Sequence, residues 1–294
     1  MAKTIRDPAT FAIATLGGIF GVVPRMLRRI GGETDAPEVR AITLDDIAAS
    51  LSDGLDDIRA FRSDAIFVCF LYPAVGLLLA AVAFQRELLP LIFPLIAGFT
   101  LLGPIAGIGL YEMSRRRAAG LDASWADLFK LFSSPSLGAI ILLGVILFVL
   151  FLAWIGAAAL IYQATLAPLE PAGPVDFVIK GVSTAAGWAM GVVGFAVGAV
   201  FAAVALSISF VGLPLLVDRN VGLVAAIVTS VRAAAASPGP VAVWGLLIAA
   251  ALAMASVPAL LGLVVVFPIL GHATWHLYRR AVVVDDAHAA RDDV

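Results

Sequence analysis

The chain has 294 residues, 62% of them hydrophobic and 14% charged, with a formal net charge of -2 and a mean hydropathy of +1.04. Soluble domains carry roughly 25% charged residues, so this composition excludes an ordinary soluble protein, and the small net charge argues against nucleic acid as a partner. With Cys69 as the single cysteine, an internal disulfide is excluded too.

Charge is confined as well as scarce. From Leu131 to Tyr278 the charged side chains are Glu170, Asp176, Lys180, Asp218, Arg219 and Arg232, each in a gap between apolar runs. A charge at the centre of a bilayer costs at least ~2.5 kcal/mol, so the pattern predicts an all-α, polytopic bundle of transmembrane helices.

At the amino terminus, residues 9–23 are apolar but short of the ~20 residues a span needs, and basic residues flank them. They are predicted to lie at the membrane surface, with a short or re-entrant span as the alternative. Residues 30–39 form a linker. Next, Thr43 can cap a helix with Asp46 at its third position, and Leu44, Ile47, Leu51, Leu55, Ile58 and Phe61 follow at helical spacing. This amphipathic helix, 43–61, is expected along the membrane surface or against the bundle.

Six spans are predicted, at approximately 65–84, 88–111, 137–162, 188–216, 239–256 and 258–278. The last two form a hairpin broken at Ser256-Val257-Pro258. Between spans, two loops look alike. Gly103-Pro104 leads to Glu112, the cluster Arg115, Arg116 and Arg117, a helix at 125–132 and then Ser134-Pro135; Leu213-Pro214 leads to Asp218-Arg219, a helix at 221–236 and then Ser237-Pro238. Serine followed by proline is a helix start, because the hydroxyl can accept an orphan N–H and proline has none to lose. Each loop is expected to carry an amphipathic interfacial helix, and the two together suggest an internal parallel repeat.

The fourth span places Gly187, Gly191, Gly194 and Gly198 on one helical face. Such a face permits close backbone approach, expected mainly within the bundle, with a homodimer seam as the alternative. Orientation follows from the basic residues. With six spans and both ends on one side, that side holds all 19 Lys and Arg except Arg86 and Lys180, so both termini are expected in the cytoplasm.

The candidate chemistry is sparse. His272 and His276 stand four apart on the last span, and Glu112 and Asp218 begin the two loops at a similar depth, so these four make a candidate metal or polar cluster. Against a metal stands the lack of a visible third ligand. Trp275, His276 and Tyr278 also suit an interfacial belt, with Arg279 and Arg280 reaching the headgroups. Two histidines one turn apart cannot ligate opposite faces of a haem iron. No cofactor is predicted. The pairs Asp45-Asp46, Asp56-Asp57 and Asp285-Asp286 are expected to be solvated, and Arg115 to Arg117 to anchor topology first and bind lipid phosphate second.

The stretches ITLDDIAASLSDGLDDIRAF, FPLIAGFTLLGPIAGIGLYEMSRRR with SWADLF, LPLLVDRNVGLVAAIVTSVRA with PGPVAVWGL, and GHATWHLYRR resemble a bacterial family of integral membrane proteins of unknown function, some members of which carry a cytochrome c oxidase label. The likeness covers roughly residues 40–280. It implies a shared fold and a bacterial inner membrane, and no activity. The oxidase label fits poorly, since a haem-copper core needs six histidine ligands.

Three domains of organisation result: an amino-terminal arm over 1–62, a six-span domain over 63–280 and a charged tail over 281–294. The expected function is non-enzymatic, as a scaffold, assembly factor or accessory subunit with the bilayer and with protein partners or further copies of itself. A small-solute transporter or channel is the first alternative, and a metal or redox site at His272 and His276 the second.

Overall fold

The computed structural model describes residues 36–60, 91, 94–95, 98, 100–121, 131, 134–256 and 261–283. The apolar segment 9–23, the first predicted span, Cys69, most of the helix expected at 125–132, the break at 257–258 and the tail from 284 lie outside them. The described chain is helical, with no sheet beyond a single antiparallel bridge between Val39 and Val282. In chain order the helices are α1 (Leu44–Ala60), α2 (Gly103–Ala106), α3 (Ile108–Ala118), α4 (Leu137–Ala164), α5 (Pro174–Ser183), α6 (Ala185–Ser209), α7 (Gly212–Asp218), α8 (Leu223–Ala236), α9 (Pro238–Ser256) and α10 (Leu263–Ala281).

Three stretches are long and apolar enough to cross a bilayer: α4, the run Ala185–Asp218 made of α6 and α7, and α9. They match the third, fourth and fifth predicted spans. The fourth is interrupted at Phe210 and Val211, and α7 beyond the interruption is buried from Gly212 to Val217. Only part of the second span is described. It ends in a 3-10 turn, Thr100–Leu102, followed by α2 and α3, and Trp154 of α4 holds its earlier part by donating from Nε1 to the Pro94 carbonyl at 2.9 Å. The stretch predicted as the sixth span is the helix α10, which starts at Leu263, is buried on nearly every side of its second half, and is not among the three stretches long and apolar enough to cross.

Helix α4 shows what kind of environment the fold is built for. It buries Ile140, Leu143, Leu147, Phe151, Trp154 and Ala158, at the three-and-four spacing of one helical face, and exposes Ile141, Val145, Phe148, Val149, Leu152 and Leu160 on the other. Both faces are apolar, so no amphipathic pattern separates them. In water the outer face would be an aggregation surface; in hydrocarbon it needs no partner.

The glycine face of α6 departs from expectation. Gly187 packs on the backbone of Gly181 and Gly198 on the indole of Trp154, but a Cβ at Gly191 or Gly194 would meet no described atom within 4 Å, and Gly191 is exposed. The stripe therefore packs into the described bundle at its two ends only. The Ser-Pro starts differ too. Ser134 Oγ accepts from Ser136 N at 3.2 Å, whereas Ser237 Oγ accepts from Ile42 N at 2.8 Å, so this hydroxyl ties in the segment ahead of α1 instead of capping α9. Pro104 and Pro214 do each fall in a short helix, α2 and α7, and α3 packs on α7.

Candidate functional site

The site begins with how α1 starts. Thr43 N donates to Asp46 Oδ2 at 2.9 Å and Asp46 N donates to Thr43 Oγ1 at 3.2 Å, a reciprocal capping box that satisfies two orphan donors. Just upstream, Arg40 N donates to the Ala281 carbonyl at 2.8 Å and Val283 N to the Glu38 carbonyl at 3.0 Å. That pairing sets residues 38–40 antiparallel to the end of α10, and α1 then runs back along α10. Of the two resting places the sequence allowed, against the bundle or on the membrane, α1 takes the bundle, so the amino-terminal arm and the span domain share a packed interface.

Its packing face is not the apolar stripe. The buried residues of α1 are Ile47, Ser50, Gly54 and Asp57, while Leu44 and Leu55 are exposed. At 100° per residue this face is turned by roughly 70° from the stripe read in the sequence. The cause is close approach: a Cβ on Gly54 would stand 2.8 Å from the backbone nitrogen of Ala273, so the two helices meet where both residues are small. Arg280 fastens the other end, donating to Asp53 Oδ2 at 2.7 Å and to Ser50 Oγ at 3.3 Å.

Asp57, 2% exposed, is the hub. Its Oδ2 accepts from Ser114 Oγ of α3 at 2.5 Å and from His276 Nε2 of α10 at 2.9 Å, and its Oδ1 accepts from Arg117 of α3. Ser114 has one proton and gives it to Asp57, so at 2.7 Å it is His272 Nδ1 that donates to Ser114 Oγ. One carboxylate thus binds α1 to α3 and α10 together. Burial alone would push the Asp57 carboxyl up, but the hydrogen bonds from His276 and Ser114 and the nearby imidazoles outweigh it and hold it below the usual carboxylate value.

The four-residue cluster predicted from the sequence assembles in half. His272 and His276 meet through Asp57 and Ser114. Glu112 instead holds Arg115 in a two-pronged pair at 2.7 and 2.8 Å on α3, and Asp218 accepts from Tyr278 at 2.6 Å and from Arg279 at 3.3 Å, tying α7 to α10. Arg115, Arg117, Arg279 and Arg280 are therefore engaged with carboxylates of the fold, which leaves them less available to lipid phosphate than their spacing suggested. Asp57 is likewise not solvated, although Asp56 beside it is, paired with Arg59 at the surface. The missed signal was the run Ser50, Gly54, Asp57, spaced four and three apart. Small and polar residues mark a contact with another helix, where the eye goes to leucines. Among the described residues, no group of three or more His, Cys, Asp or Glu is arranged to hold a metal ion.

Outward apolar faces on long helices, with the arginine clasps at one end, define an integral membrane protein. Residues 92–218 match a family described as "Predicted integral membrane protein (DUF2189)", which agrees with the resemblance drawn from the sequence and covers its middle part; that description carries no oxidase label. Ser114, Glu112, Arg115 to Arg117 and Asp218 fall inside the matched stretch, and Asp57, His272 and His276 outside it. No curated protein matches the chain. No solved structure matches it either.

Proposed function

We propose that this protein is a multi-pass protein of the bacterial inner membrane, with both termini in the cytoplasm, that acts by contact, as a scaffold, assembly factor or accessory subunit of a membrane complex. The observation that carries the proposal is the way the polar site is used. The Asp57 carboxylate receives donors from Ser114, His276 and Arg117, and these bonds hold α1 against α10. Groups committed to each other in this way build an interface; chemistry on a substrate would need some of them turned towards it. The surface left for other molecules is the apolar outer side of α4, α6 and α9. The placement of all Lys and Arg except Arg86 and Lys180 on one side supports the orientation.

Purification in mild detergent, with cross-linking before solubilisation and mass spectrometry of what remains bound, tests the reading. A reproducible protein partner or a defined homo-oligomer is expected. Lone monomers, with and without cross-linking, would overturn it.

A further inference from the structure

At the end of the bundle opposite the arginine clasps, α5 joins α4 to α6, and its most exposed face is apolar. On the side turned to the rest of the chain, Lys180 and Asp176 pair at 2.7 Å and stay partly exposed; Lys180 Nζ donates to the Leu169 and Glu170 carbonyls at 2.8 and 3.3 Å and Asp176 Oδ2 accepts from Ala172 N at 2.8 Å, so both are bonded into the turn that enters α5. On the same inner side Phe177 lies against Tyr162 of α4, ring centroids 6.1 Å apart. The outer side carries Val175, Val178, Ile179 and Val182, spaced three, one and three apart and between 53% and 72% exposed. An amphipathic helix on a water-facing surface does the reverse.

The end of α5 is independent evidence on its surroundings. Carbonyls at the carboxyl end of a helix lack intrahelical partners and ordinarily take water. Here the Val182 carbonyl, one of these, accepts from the indole N–H of Trp188 at 3.0 Å, while the Lys180 carbonyl keeps the Thr184 N–H as well as the Thr184 hydroxyl. An orphan carbonyl closed by the chain's own indole suits a medium poor in water. The outer side also continues the exposed apolar surfaces of the two spans it joins, with Leu160 near the end of α4 and Trp188 at the start of α6.

We propose that α5 is an interfacial helix, with Val175, Val178, Ile179 and Val182 seated in the acyl-chain boundary of the leaflet away from the arginine clasps. The lipid chemistry it takes is hydrocarbon, not headgroup charge, since its one cation, Lys180, is held by Asp176 and by the Leu169 and Glu170 carbonyls. The surface is an extension of the lipid contact of the spans.

Two measurements test this. In a Cys69→Ser background, Val175→Cys, Val178→Cys, Ile179→Cys, Val182→Cys and Ala172→Cys are each spin-labelled and reconstituted into phosphatidylcholine vesicles, then probed by collision with oxygen and with a water-soluble nickel chelate. The four α5 labels are expected to favour oxygen severalfold over the Ala172 label, with no change when phosphatidylglycerol is added. Labels that the nickel chelate reaches as freely as it reaches Ala172 would place the face in water. Labels shielded from both reagents would place a protein against it, a second copy included; either result overturns the proposal. The unsubstituted chain supplies the second measurement, by photolabelling with a phospholipid carrying a diazirine on its acyl chain. Adducts are expected within 174–183, and adducts on α4 with none on α5 would also overturn the proposal.

Discussion

Asp57→Ala is the change that separates a clasp from a coincidence of polar neighbours. The carboxylate accepts from Ser114 at 2.5 Å, from His276 at 2.9 Å and from Arg117, and a hydrogen bond to a charged group contributes about 1.5–3 kcal/mol. The three do not add in full. Arg117 is 41% exposed and regains water when released, while Ser114 and His272 keep one another. Removing one partner from a fully buried pair costs about 3–5 kcal/mol, so an expected loss of about 3 kcal/mol sits at the lower edge of that range. At ~1.4 kcal/mol per tenfold, this is roughly a 150-fold rise in the population with α1 undocked. Hydrogen exchange followed by mass spectrometry, in lipid nanodiscs, reads it directly: peptides from 44–60 should exchange about two orders of magnitude faster, and peptides from α9 at the unaltered rate. Acceleration of α1 by less than about threefold, or ~0.6 kcal/mol, would refute the claim that Asp57 holds the helix.

The same bonds set a pH dependence. Because the folded carboxyl of Asp57 lies below its ordinary value of 3.8, its contribution is fully present above that value and is lost as the pH falls through the lowered one; exchange of α1, corrected for intrinsic rates, should hold steady down to about pH 4 and rise only below it. Gly54→Val should undock α1 without touching any charge, since its Cβ would fall 2.8 Å from a backbone nitrogen that cannot move aside; a loss of about 1–3 kcal/mol is expected, read by the same exchange of 44–60. Tyr278→Phe removes the 2.6 Å bond to Asp218 and should lower thermal stability in detergent by about 1–2 kcal/mol, with α1 exchange unaffected, because Asp218 fastens α7 and not α1. Faster exchange of α1 in that variant would mean the two clasps act as one.

How much could be read beforehand depended on what each feature rests on. The Thr43-Asp46 cap is local chemistry within four residues, and it stands as the spacing predicts. Helix α8 is equally local, and begins and ends within two residues of the predicted stretch 221–236. The Ser-Pro pair at 237 was half legible. Proline opened α9 as expected, but the serine hydroxyl found Ile42 N, nearly two hundred residues away in sequence, and a capping rule does not include such a partner. His272 and His276 stand out in the sequence by their spacing of four on one helical face. Their true companion, Asp57, was hidden because a carboxylate on an acidic helix looks solvated until a second helix covers it. Glu112 and Asp218 failed to join for a matching reason: arginine and tyrosine neighbours lay nearer and satisfied them first.

The solvent of this protein, and the three apolar stretches long enough to cross it, were legible in the residues alone, because apolar length and the exclusion of charge are properties of a single segment weighed against a bilayer. So was α1 as a helix. Which sides of those helices face one another emerges only once they are packed. In hydrocarbon a packed face and a lipid face are both apolar, as on α4, so no periodicity tells them apart. Where α1 meets α10, the deciding quantity was how closely Gly54 lets two backbones approach, and that distance belongs to the pair of helices, not to either sequence alone.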